Sequence, residues 1–377
     1  MVEQQRRPPV WVYLPALFVF ALIVTLSILP ILPNVLIPTP VPHEVAIVFD
    51  IEGLGDRGIN DACFQGAVDA HNHFNINFTF VESNSNTNYE LLLRAYAEHI
   101  GLTNPYDLII AVGWRQAAAV MAVAYDYPNQ TFAIVDGYIN PIAYPNVCSI
   151  LFAEEEGSAL VGALAGLYTA TNKIGFIGSL DIPLIRRYAA GYFWGANLTN
   201  PTLDIQNIIL SPNISIGMLG DWNNPNLAEI IADTMYNGSH DIIYTVAGQS
   251  DKGVIDSAKK NNGTLGPIWT IGSDYPQMYL GTTDPDNPTA PTVVLTSMVK
   301  RFDVAVYQIM SACVIDRTDI TGLTLFGLYN GGLYWEIDDT LLGHNWEIPT
   351  AYKEILLEIE EGIMNGTWIV PTDYPWI

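Results

Sequence analysis

From His43 onward the chain alternates between two hydrophobic patterns. Short apolar runs such as Leu108-Ile109-Ile110-Ala111-Val112 have no polar face, which fits parallel strands covered on both sides. Strands are expected at Val45–Phe49, Asn77–Val81, Leu108–Val112, Phe132–Val135, Ile174–Ile177, Ile205–Leu210, Ile242–Val246 and Ile268–Ile271. Between them lie helical patterns at Asn60–Phe74, Tyr89–Ile100, Gln116–Tyr125, Ser158–Thr169, Arg186–Leu198, Asn226–Tyr236 and Lys252–Lys260. Strands separated by helical stretches of this length predict βαβ units and parallel sheets. Two sets of about four units, broken near Asn146–Glu156, predict an α/β protein of two doubly wound lobes; a closed (β/α) barrel has the same count and stays open as the alternative. Val293–Cys313 reads as a strand leading into a long helix, Thr324–Trp335 as a hairpin, and Ala351–Asn365 as a closing acidic helix.

The first forty residues follow another pattern. Arg6 and Arg7 precede a nearly uncharged run from Val10 to about Ile37, and Val10–Leu29 is long enough to cross a hydrocarbon core of ~30 Å as a helix. A cleaved signal peptide has a shorter apolar region and a small-residue cleavage site. The run here is longer, Ile-Leu-Pro repeats stand where that site would be, and no cysteine occurs before Cys63. The expectation is an uncleaved membrane-spanning anchor over 1–37, with the N-terminus cytoplasmic and the body extracellular. A Pro-rich tether follows over 38–43. Sequons at Asn77, Asn129, Asn197, Asn213, Asn237, Asn262 and Asn365 agree with an external body. The expected division is a first lobe over 44–150 completed by about 275–320, and a second over 151–274 completed by about 321–377.

Charge removes whole classes of function. Fifteen Lys and Arg stand against 39 Asp and Glu, a formal charge of −24, so nucleic acid is not a partner. Half the residues are hydrophobic and only 14% are charged, which excludes a disordered chain. The three cysteines, Cys63, Cys148 and Cys313, are too sparse for a disulfide framework or a zinc site; they read as small buried hydrophobes, with a single bridge through Cys148 left open. No metal or nucleophile motif occurs, and His71-x-His73 reads as a solvated pair at a helix end.

Ligands of open α/β sheets bind beyond the carboxyl ends of the strands. The residues found just past them are Asp50, Asp136, Gly248 and Asp274. Each acid alone would be a helix cap or turn former, but together they point to a binding role. The Gly53-Leu54-Gly55-Asp56-Arg57-Gly58 loop lacks phosphate-loop spacing and reads as a turn opening a helix. Tyr188 and Tyr192 share one face of a helix, and Trp222 follows Asp221 at a strand end. Core packing explains the tyrosine pair equally well. Aromatic faces beside carboxylates and one lysine would suit a flat, polar, uncharged molecule.

These residues carry a resemblance. Asp50 to Gly66, Ile134-Val135-Asp136, Ile174-Gly175-Phe176-Ile177-Gly178, Ile271-Gly272-Ser273-Asp274 and Val294-Leu295-Thr296-Ser297-Met298-Val299-Lys300 resemble the basic-membrane-protein family of substrate-binding lipoproteins, which includes purine nucleoside receptors of ABC transporters. The resemblance runs from about Glu44 to the C-terminus. It implies a type I periplasmic-binding-protein fold, two lobes with a hinge and ligand in the cleft, and no enzyme activity or cofactor. It also implies ligand contacts from Asp50, Asn60, Asp136, Tyr188, Tyr192, Trp222, Gly248, Asp274 and Lys300. Ile59 stands where the family has an aromatic that stacks on the base. The expected function is an extracellular receptor that captures nucleosides, purines first, for an ABC transporter permease. The alternatives are the same fold serving a sugar or another small polar ligand for transport or sensing, and an enzyme cleaving N-glycosidic bonds with Asp50 and Asp136 as acid and base.

Overall fold

The computed structural model describes residues 43–373 apart from 101–104, 204–214, 283, 285–289, 315–320 and 344–346. Elements are numbered in chain order. The first sheet contains β1 (Glu44–Phe49), β2 (Asn77–Glu82), β3 (Leu108–Val112), β4 (Phe132–Val135), β5 (Val147–Phe152) and β11 (Gly322–Phe326), in the order β11-β5-β4-β3-β1-β2. All its pairings are parallel. The second contains β6 (Ile174–Gly178), β7 (Ile216–Met218), β8 (Ile242–Val246), β9 (Trp269–Asp274), β10 (Val294–Lys300) and β12 (Leu333–Trp335), in the order β12-β10-β9-β8-β6-β7. Only β12 runs antiparallel to its neighbour. Two open sheets exclude the single closed barrel. Strand order reverses at β1/β3 and again at β6/β8, and the carboxyl ends beside those points are where a doubly wound sheet leaves a crevice.

The apolar runs form strands because helices cover both faces. In the first lobe these are α1 (Ile59–Phe74), α2 (Tyr89–Ala97) and α3 (Ala117–Asp126). The second has α4 (Glu154–Tyr168), α5 (Pro183–Thr199), α6 (Pro225–Asn237) and α7 (Asp251–Asn261). β1, β3, β4, β6, β8 and β10 are buried along almost their whole length. α4 and α5 approach until their backbones touch. A Cβ on Gly162 would lie 2.0 Å from the Tyr192 carbonyl oxygen, and one on Gly195 would lie 1.9 Å from that of Ala159. Small residues at these positions are a packing requirement.

The chain crosses between lobes at three places: from β5 to α4, from β10 to α8 (Phe302–Val314), and from β11 to β12. Phe152, Phe302 and Phe326 gather at the crossings, with ring centroids 5.0 Å apart for Phe152–Phe302 and 5.7 Å for Phe152–Phe326. Two expectations change here. Thr324–Trp335 is not a hairpin: β11 lies beside β5 in the first sheet, whereas β12 lies beside β10 in the second. Likewise β10 belongs to the second sheet, while α8 returns to pack on α1 and β11 closes the first sheet. The last helix, α9 (Thr350–Met364), packs on α4.

The fold expectation needs a further correction. The two parallel-sheet lobes are present, but no helix among the described residues is long and apolar enough to cross a membrane. The N-terminal spanning helix expected over 1–37 and residues 38–42 of the tether fall outside the described residues, as does the strand expected at Ile205–Leu210. Cys63, Cys148 and Cys313 are free thiols, and burial pushes all three above the usual thiol range.

Candidate ligand-binding cleft

Three acids converge on one lysine where the two sheets end. Lys300, the last residue of β10, has a side chain 1% exposed. Its Nζ lies 2.9 Å from Asp136 Oδ1, 3.1 Å from Glu154 Oε1 and 3.7 Å from Asp274 Oδ1. Asp136 follows β4 of the first lobe, Asp274 ends β9 of the second, and Glu154 opens α4 at the first crossing. Both aspartates take left-handed backbone conformations, φ 59° and 68°. Asp tolerates that region better than most residues, and such strain concentrates at ligand sites. Tyr188 on α5 donates to Asp274 Oδ1 at 2.5 Å.

Burial decides the electrostatics of this cluster. It pushes the Glu154 carboxyl up to about 7, against the opposing pull of Lys300. Burial also acts to lower Lys300, but Asp136, Asp274 and Glu154 outweigh it and hold the ammonium above its ordinary value. Arg187, on α5, reaches Glu154 at 3.5 Å. Ammonium and carboxylates remain paired because an isolated charge at this depth would cost several kcal/mol.

Two cavities meet at this cluster. One of about 430 Å³ is bounded by Asp136, Glu154 and Arg187 together with Trp114, Trp222, Leu151, Leu180, Ile182 and Leu184. Its walls are mainly apolar. The other, about 320 Å³, is bounded by Asp274, Lys300, Tyr275, Arg57 and Tyr334. Trp114 follows β3 and Trp222 follows β7, so the indoles come from opposite lobes; their ring centroids are 6.1 Å apart at 38°.

Residues 43–362 match the Bmp family, ABC transporter substrate-binding proteins that are PnrA-like. The chain belongs to the Bmp family. A CD4+ T-cell-stimulating antigen of Listeria innocua is 30% identical over 87% of this chain and 87% of its own length. The ABC transporter nucleoside-binding protein BmpA of Lactococcus lactis is 28% identical, over 87% of this chain and 89% of its own. A solute-binding protein of an ABC transporter system from Aeropyrum pernix superposes with a TM-score of 0.64, at 25% identity over 88% of this chain and 95% of that one. As a Bmp protein the chain is a substrate-binding component of an ABC transporter and not an enzyme. Its clustered carboxylates are thus acceptors of hydrogen bonds rather than acid–base catalysts.

The residues expected to contact ligand in this Bmp protein divide into two groups. Asp136, Tyr188, Asp274 and Lys300 form the cluster, and Trp222 lines the larger cavity. Gly248 lies against Trp222, where a Cβ would meet the indole only at an ordinary contact distance of 3.5 Å; its φ of +60° is what favours glycine there.

The others are engaged within the protein. Asp50 Oδ2 is paired with Arg115 at 2.8 Å, while Oδ1 accepts from the Ile51 amide and the Tyr89 hydroxyl. Asn60 is fully buried; its Oδ1 accepts from the Asp50 amide and its Nδ2 donates to Asp56. Ile59 is half-buried against the core. Tyr192 is buried between Tyr244 and Phe193, 5.1 Å from each ring, and lines neither cavity described above. The glycine-rich loop behaves as a helix-opening turn. Asp56 accepts the amides of Gly58, Asn60 and Asp61, occupying the helix N-terminus where an anion would otherwise bind.

Four residues of the site have no counterpart in the sequence reading: Glu154, Arg187, Trp114 and Arg115. Glu154 sits in a run of three acids at a helix start, where a solvated first turn is the ordinary reading. Trp114 had a usable signal, since it follows Val112-Gly113 at a strand's carboxyl end.

Proposed function

We propose that this Bmp protein captures a nucleoside, purine before pyrimidine, in the cleft between its lobes and presents it to the permease of an ABC transporter on the outer side of the membrane. One observation carries the reading: the cleft joins hydrogen-bonding carboxylates to an apolar chamber with two indoles. Asp274 accepts from vicinal hydroxyls of a ribose, Asp136 accepts from a ring N–H, and Lys300 donates to ring or sugar oxygens. The indole faces suit a flat heterocycle. A neutral ligand fits best, because a phosphate would face three acids around a lysine already committed to them. The Lactococcus relative's name, nucleoside-binding, and the lipoprotein names of relatives from Pyrococcus horikoshii and Pyrococcus abyssi support the ligand and the surface location respectively.

Titration calorimetry of the full chain with inosine, guanosine, adenosine, cytidine, uridine and ribose tests this, followed by assay for free base. Micromolar or tighter binding of at least one nucleoside, with no base released and the signal lost in Asp274→Ala, is the expected result. Binding of ribose with no gain from an attached base would favour the sugar-receptor alternative. Ile59 and the engaged Asp50 and Asn60 motivate that alternative, since they withdraw three contacts from the base.

A further inference from the structure

Resting on the outer-side location given under the proposed function, we propose that Asn129, Asn237 and Asn262 are N-glycosylated, which places oligosaccharides at the poles of the lobes farthest from the ligand cleft. Seven Asn-x-Ser/Thr acceptors occur in the chain, and six of them lie among the described residues. Their hydroxyl residues divide them. Asn77 opens the edge strand β2, where its amide donates to Glu44 Oε1 at 2.8 Å and the Thr79 hydroxyl bonds that of Tyr106. Asn197 lies within α5, and the Thr199 hydroxyl donates to the Ala163 carbonyl at 2.9 Å. Thr367 donates to Asn365 itself. Each of these three hydroxyls has a partner that explains it.

Asn129, Asn237 and Asn262 differ. All three are exposed and stand where a helix turns into a strand: Asn129 between α3 and β4, Asn237 at the end of α6 ahead of β8, Asn262 just past α7 ahead of β9. The hydroxyls of Thr131, Ser239 and Thr264 make no hydrogen bond among the described residues. Nor does the backbone call for them. The chain leaves α7 through Gly263, φ +81°, a turn that asks nothing of Thr264, and it leaves α6 with Ser239 at φ 72°, where glycine or asparagine is favoured. The amides are placed for substitution. Asn262 accepts from the Ile268 amide through Oδ1, leaving Nδ2, and Asn237 uses one Nδ2 hydrogen on the Asp233 carbonyl, leaving the second. Strands run from these turns towards the cleft, β4 stopping before Asp136 and β9 at Asp274. The six residues of β9 put about 17 Å between Asn262 and that end. The co-reactant is a lipid-linked oligosaccharide phosphate: Nδ2 bonds to the anomeric carbon, the carbon–oxygen bond to phosphate breaks, the lipid phosphate leaves and the amide loses one proton.

The test is peptide mass spectrometry of the full chain isolated from the membranes of the cells that make it, alongside protease treatment of the same cells while intact. Saccharide mass is expected on Asn129, Asn237 and Asn262 and not on Asn77 or Asn197. Ser239→Ala and Thr264→Ala should each erase their own mark and spare the others. A chain cleaved by the external protease with all three asparagines unmodified would overturn the proposal and leave the outer location standing. Equal modification at Asn77 and Asn197 would overturn it as well, since the engaged hydroxyls would then decide nothing. A chain protected until the cells are lysed would refute the outer location, and the proposal falls with it.

Discussion

Asp136 Oδ1 and Lys300 Nζ, 2.9 Å apart, form an ion pair between the two lobes, one partner just past a strand of the first sheet and the other ending a strand of the second. The lysine stands beside the crossings, with its Nζ 5.4 Å from the Phe152 ring and 5.9 Å from that of Phe302. Charge balance across the lobes and the crossings therefore share one side chain.

Lys300→Met should leave Asp136, Glu154 and Asp274 without their common counter-charge. Removing one partner of a buried pair costs about 3–5 kcal/mol. Urea denaturation should show a loss of that order, and adding Glu154→Gln should restore part of it. Equal stability of wild type and Lys300→Met would mean that the carboxylates are balanced in another way.

Glu154 should make stability depend on pH. Its carboxyl titrates at about 7 in the folded protein against 4.5 for an unperturbed glutamate. The folded state thus binds more protons than the unfolded state across that interval. The contribution is fully present below pH 4.5 and is lost as pH rises towards 7, by up to about 3 kcal/mol. Thermal transitions of wild type and Glu154→Gln across pH 4–8 should diverge over this window, with the variant gaining relative stability at the alkaline end.

Asp50 should behave as a structural acid despite its place at a strand end. Arg115→Ala strands its carboxylate and should cost about 2 kcal/mol, below the range for a fully buried pair because the arginine is 30% exposed. Any nucleoside affinity should change less than tenfold in Asp50→Asn and more than tenfold in Asp274→Asn, read by calorimetry on the same samples. Equal losses at the two positions would return Asp50 to the ligand shell.

Tyr192→Phe should stabilise the protein. The Tyr192 hydroxyl is buried and has no hydrogen-bond partner among the described residues. Removing an unsatisfied hydroxyl while keeping the ring should gain about 1 kcal/mol. Chemical denaturation measures that gain, and an unaltered ligand affinity would assign the residue to the core.

Much of the chemistry at the strand ends could be read in the sequence because it follows from a positional rule. Asp136 and Asp274 stand just past or at the ends of apolar runs, and the cleft lies beyond such ends. The same rule does not show that Asp50 is held by Arg115 and Tyr89, and the helical-face argument does not show that Tyr192 packs against Tyr244 and Phe193, because neither says which groups are engaged from elsewhere. Arg115 lies 65 residues from Asp50, and the Tyr89 that donates to it lies 39 away. β5 is absent from the expected strands because its six residues end beside an acidic helix start and read as a break between lobes.

Local pattern settled where most strands and helices lie, that they form two α/β lobes, and which acids stand at strand ends. A strand buried on both faces must be apolar throughout, and a covering helix must repeat every 3.6 residues, so both leave traces within a short window. Tertiary structure alone decided that β10 and β12 join the second sheet while β11 joins the first. It also decided that Glu154 turns inward to Lys300 and that Trp114 meets Trp222. Those outcomes depend on contacts between residues far apart in the chain, whose energies come from shared burial and charge pairing, and neither leaves a local signal.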